Sequence, residues 1–128
     1  NSEELHTMDN ATDKSIGFGL FHPADAKQYA EITIEVRDGI TQKADFATND
    51  ITVKKCAEAL CELITGFPTA DILQMNNNAV YYNIGEKLPL DSLFCATIAV
   101  NAAKKAAIDY MKKNGIEIPN GTVCGCLQ

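Results

Sequence analysis

The chain has no run of roughly eighteen apolar residues, so nothing in it reads as a membrane span. Its opening segment, Asn1 to Asn10, is polar and lacks the apolar core of a signal peptide. There is no basic run, and the net charge is −6. A chain of that sign repels nucleic-acid phosphates and anionic lipid, so neither is an expected partner. No glycine-rich loop of the phosphate-cradling kind is present. No serine is flanked by glycines in the manner of a nucleophile elbow, and the residue beside Cys95 is Phe94 rather than a histidine that would activate it. Enzymatic turnover therefore finds no support, and the expectation is a non-catalytic protein. Repeats and low-complexity tracts are missing as well.

What is present is an ordinary globular composition. The 128 residues are 46% apolar and 22% charged, enough for one domain with one core. The chain opens on Asn1 rather than Met, as a trimmed or partial chain would. Its five cysteines are Cys56, Cys61, Cys95, Cys124 and Cys126. An odd count without a secretion signal argues against a disulfide framework and for a reducing, cytoplasmic setting.

Periodicity divides the chain into strands followed by helices. Residues 1–14 form a polar lead. Ser15 to Phe21 (SIGFGLF) alternates loosely as a strand ending at His22-Pro23, where proline's missing donor does no harm. Ile32, Ile34 and Val36 alternate with Thr33, Glu35 and Arg37; after Asp38-Gly39, Ile40, Gln42, Ala44 and Phe46 alternate with Thr41, Lys43 and Asp45. That is an antiparallel hairpin with one face on a core. Asn49 or Asp50 then caps a helix over Thr52–Thr65, with Val53, Cys56, Ala57, Leu60 and Ile64 on its apolar face and Gly66 and Pro68 as its stop. Residues 69–75 suggest a short helix and residues 76–78 a loop. The alanine-rich segment from Asp91 to Lys113 is a long helix with Lys112 and Lys113 in its last turn. The expected class is α+β: a three-stranded antiparallel sheet with helices packed on one face, as a domain over residues 15–114, followed by a mobile tail over 115–128.

Several strings in this order resemble one family. Leu88 to Cys95 (LPLDSLFC) is similar to the leucine-proline string that leads to a cluster cysteine in the iron–sulfur cluster assembly scaffolds of the IscU type and the N-terminal domain of NifU. Ala102 to Tyr110 (AAKKAAIDY) resembles that family's last helix. The hairpin from Ile32 to Phe46 resembles its second and third strands, and Glu62 to Gly66 the end of its middle helix. The resemblance runs from Ser15 to Lys113. It implies that fold, a role in cluster assembly, an iron–sulfur cluster, iron or zinc as cargo, and a cysteine desulfurase or other assembly protein as partner.

The departures from the family bear on chemistry. Scaffolds of this type hold their cluster with three cysteines, helped by an aspartate or a histidine. Where the first cysteine follows a proline-alanine pair, Pro23-Ala24 is followed here by Asp25. Where the second lies beside a glycine, Asn49-Asp50 stands, with the register open by one residue. Phe94 replaces the histidine, and Cys95 is the cysteine that remains. The proline-valine-lysine read by the chaperone of bacterial scaffolds is absent after Leu88-Pro89.

A cluster needs soft thiolates on each iron, and one thiolate does not hold it in a single chain. With Cys95, the carboxylates of Asp25 and Asp50 make a donor set for Zn²⁺ or Fe²⁺. The alternatives are a cluster shared by two chains at their Cys95 residues, and a metal-free interaction module that keeps the fold after the site has decayed. Cys56 and Cys61 read as buried packing residues. At a helix start, Cys95 gains from the helix dipole as a thiolate. Cys124-Gly-Cys126 reads either as a chelating or redox pair or as a tail end, and His22 either as a substitute ligand or as a surface residue.

Overall fold

The computed structural model describes residues 14–24, 27–76, 80 and 94–118. The polar lead up to residue 13 and the tail from 119, including Cys124 and Cys126, lie outside the described residues, as do Asp25 and residues 91–93. Three strands come first: β1 (Ile16–Phe21), β2 (Ala30–Arg37) and β3 (Ile40–Thr48). They form one antiparallel sheet in the order β1-β2-β3. Helix α1 (Ile51–Ile64), a 3-10 helix (Thr69–Gln74) and helix α2 (Phe94–Lys113) follow. The expected α+β architecture is the observed one.

The β2–β3 hairpin closes on the two residues with the strongest turn chemistry. Asp38 and Gly39 have φ of 56° and 77°. Positive φ at both central positions is the two-residue turn whose twist matches that of the strands. Ala30, Ile32, Ile34 and Val36 are buried on the inner face. The alternation expected for β3 holds only in part. Glu35 pairs with Lys43 but Val36 pairs with Thr41, so Gln42 is an extra residue, a β-bulge. The parity resets there: Thr41 is fully buried and Gln42 exposed, while Ala44 and Phe46 face the core. The chain leaving α1 returns along this end of β3. Thr41 N–H donates to Phe67 O at 2.9 Å, and the Thr41 and Thr69 hydroxyls lie 2.8 Å apart, which satisfies both inside the core.

Both helices lie on the inner face. α2 crosses β1 and β2 and also packs on α1, which covers β3. Two glycines of β1 set the approach of α2. A Cβ on Gly17 would run into the carbonyl oxygen of Ala106, and one on Gly19 into that of Ala102. Opposite them the helix presents buried Ala102, Ala103, Ala106 and Ala107. Backbone therefore meets backbone. The outer edge of β1 is served by side chains of the same helix. Phe18 N–H donates to Asp109 Oδ2 at 2.9 Å, and Lys113 Nζ donates to Ile16 O at 3.0 Å while pairing with Asp109 at 3.1 Å. α2 ends at Gly115 (φ 66°), with Ile116 N–H on Met111 O and Gly115 N–H on Lys112 O, the bond pair of a Schellman stop. Among the described residues no helix is long and apolar enough to cross a membrane.

Candidate functional site

Two of the predicted site residues fall at helix starts: Asp50 caps α1 and Cys95 lies in the first turn of α2. The β3–α1 junction is the sequence Thr48-Asn49-Asp50. Asn49 Oδ1 accepts from Tyr29 N–H at 3.1 Å, and its Nδ2 donates to Lys27 O at 2.9 Å. The Thr48 hydroxyl donates to Tyr29 O and accepts from Asp50 N–H. The returning arm of the β1–β2 loop is thereby stitched to the start of α1. Asp25 itself lies outside the described residues, but Lys27, two positions on, is held by Asn49.

Asp50 is the cap of α1, as expected from its type. Its Oδ2 accepts from Thr52 N–H at 2.9 Å and Val53 N–H at 3.0 Å. A carboxylate there also offsets the positive end of the helix dipole. Oδ1 takes no part in the cap. Ile51, the first residue of the helix, is 81% exposed, an unusual place for a large apolar side chain.

Cys95 sits in the first turn of α2 and is buried. Cys56 lies in the second turn of α1 and is fully buried. Its thiol is pushed up from 9.0 to about 11, first by burial, then by the charge of Cys95, and further by that of Asp50, against the lowering effect of Lys55. Cys61 belongs to a different neighbourhood. Burial pushes its thiol up to about 12, and the added charges are those of Asp45 and Glu62.

Sequence reasoning assigned Cys56 to packing alone. Its burial agrees: it is fully buried on the face of α1 that packs in the core. Asn49 was visible as a cap candidate; its hold on the loop was not. His22 is exposed at the end of β1. Among the described residues no three His, Cys, Asp or Glu side chains converge as a metal-binding group.

No family model matches the chain. It is 31% identical over 102 residues to a protein of Trachipleistophora hominis named iron sulfur cluster assembly protein 1; the match covers 79% of this chain and 72% of that protein. The chain belongs to the iron–sulfur cluster assembly protein family.

Proposed function

We propose that this protein works in iron–sulfur cluster assembly as a scaffold-like holder of cargo, taking iron, zinc, a cluster or sulfur at Cys95. The observation that carries the reading is the placement of Cys95 in the first turn of α2, a helix that packs against α1 and so against the helix that Asp50 caps. Its finer ancestry is that of the IscU and NifU scaffolds, on the strings around Leu88–Cys95. The ligand set proposed is Cys95 with Asp50 and Asp25. Mixed sulfur and oxygen donors suit a single divalent ion. The burial of Cys95 favours cargo held within one chain over a cluster shared between two. The partners are the protein that donates sulfur and the proteins that receive the product. A reducing cytoplasm keeps the thiols in the form this role needs.

The test is the metal content of protein purified without oxygen, as the native sequence and as Cys95→Ser. Stoichiometric iron or zinc in the first and its loss in the second, with both folded, is the expected result. Near-zero metal in both would overturn the reading and leave a metal-free interaction module of the same fold.

A further inference from the structure

We propose that the Asn114-Gly115 bond at the end of α2 is a deamidation site, and that its reaction releases the start of β1 from that helix. Nothing in this depends on the cargo held at Cys95.

Three side chains from the end of α2 serve one edge of the chain around β1. Asp109 Oδ2 accepts from Phe18 N–H at 2.9 Å, Lys113 Nζ donates to Ile16 O at 3.0 Å, and Asn114 Nδ2 donates to Lys14 O at 2.7 Å. Main-chain groups alternate in direction along an extended chain, so residues 14, 16 and 18 face this edge together. Ser15 faces the other way, its carbonyl accepting from Val36 N–H at 2.8 Å. The same Asn114 nitrogen donates to Tyr110 O at 2.8 Å. One side-chain amide thus joins the start of β1 to the end of the helix.

That amide stands in a labile context. Glycine follows it, with no Cβ to hinder the approach of its nitrogen to the Asn114 side chain. Asn114 is exposed, so water reaches it. The Gly115 nitrogen bonds to Asn114 Cγ and the Cγ–Nδ2 bond breaks. Nδ2 leaves as ammonia, taking the proton that the Gly115 nitrogen gives up. Water then opens the imide ring at either carbonyl, to aspartate or isoaspartate. The net change is amide plus water to carboxyl plus ammonia, with no oxidant or reductant.

In the fold both reacting groups are occupied. Nδ2 holds two carbonyls, and Gly115 N–H is on Lys112 O at 3.3 Å. The reaction therefore runs through local opening of the helix end. Its product inverts the contact. Where N–H donors met the carbonyls of Lys14 and Tyr110, a carboxylate only accepts. It also sets a negative charge at the negative end of the helix dipole. The start of β1 does not refasten, and the chain keeps a record of having opened.

The full chain aged in mildly alkaline buffer, folded and in urea, tests this by peptide mapping, which separates Asn114-Gly115 from the other Asn-Gly bond at Asn120. Aspartate and isoaspartate should form at Asn114 in both, slower in the folded chain by about tenfold or more, the factor that two hydrogen bonds supply. Asn114→Asp, made directly, should lower the urea midpoint and speed exchange of the Val36 amide by about tenfold, while Ile32 exchanges as in the parent. Asn114→Ala, which loses the bonds without adding a charge, should fall between the two. Should Asn114→Asp not fold, the deamidated parent, separated by its extra charge, is measured in its place. No product at Asn114 even in urea, or equal rates in urea and in the fold, would overturn the guarded site. Val36 exchange unchanged by the carboxylate would overturn the release of β1.

Discussion

Asn49 holds Tyr29 across the end of the sheet, its side-chain oxygen accepting the Tyr29 N–H at 3.1 Å while its amide nitrogen donates to Lys27 O at 2.9 Å. One side chain thus ties the loop that carries Asp25 to the residue that caps α1. Asn49→Ala removes both bonds. It should lower stability by about 1 kcal/mol, as exposed hydrogen bonds do. It should also speed amide exchange at Tyr29 without changing exchange in the middle of β2. Hydrogen exchange resolved by residue checks this, and unchanged protection at Tyr29 would contradict it.

Asp50 has two separable roles. Asp50→Ala loses the bonds to Thr52 and Val53 and should cost about 1 kcal/mol in urea unfolding. Asp50→Asn keeps a good cap and should cost little. It removes a negative charge near Cys56, so the Cys56 thiol should titrate lower than in the parent. If Asp50 donates an oxygen to the cargo metal, both variants weaken metal binding although only one weakens the fold. Equal metal affinity in all three proteins would remove Asp50 from the ligand set.

Gly19 is a packing determinant of the whole layer. An added Cβ meets the Ala102 carbonyl and the Ala106 amide, both backbone atoms that no rotamer change can move aside. Gly19→Ala should destabilise the chain by about 3 kcal/mol, the upper part of the range for overpacking a core. Gly39→Ala, at the hairpin turn with open space around it, is strained by its φ of 77° and should cost less. Thermal or urea midpoints of the two variants give the comparison.

Alkaline pH should weaken the fold through its cysteines. The Cys56 and Cys61 thiols are raised from 9.0 to about 11 and about 12. Above pH 9 the unfolded chain gives up these protons and the folded chain does not. Stability is therefore complete below 9 and declines as pH climbs toward the folded values. For Cys61 the decline is roughly 1 kcal/mol per pH unit. Urea midpoints measured from pH 8 to pH 11 should fall, and Cys61→Ala should flatten the slope. A midpoint that holds steady across this range would contradict it.

What was legible in the sequence was whatever is set by neighbours in the chain. The Asp38-Gly39 turn, the Asp50 cap and the buried stripe of α1 each follow from residue types a few positions apart. The bulge at Gln42 was not legible, because an alternating pattern continues through it; only pairing with β2 reveals that Thr41 turns inward. The reason for Gly17 and Gly19 was equally hidden. A glycine pair in a strand says that something comes close, but not that it is the backbone of a helix more than eighty residues later. The site follows the same rule. Cys95 and Asp50 were visible as helix-start residues, and Cys56 as the buried packing residue it is. Asp25 was named from resemblance to the cluster scaffolds and lies outside the described residues; Lys27, which Asn49 holds, is the next described residue along the chain.

The central claim is that Cys95 receives the cargo of cluster assembly. Iron and acid-labile sulfide per chain, measured after offering ferrous iron and sulfide without oxygen to the native protein and to Cys95→Ser, test it most directly. The account predicts iron retained by the native chain through desalting, with or without sulfide, and lost from a folded Cys95→Ser. Equal retention by both proteins, or none by either, would contradict it.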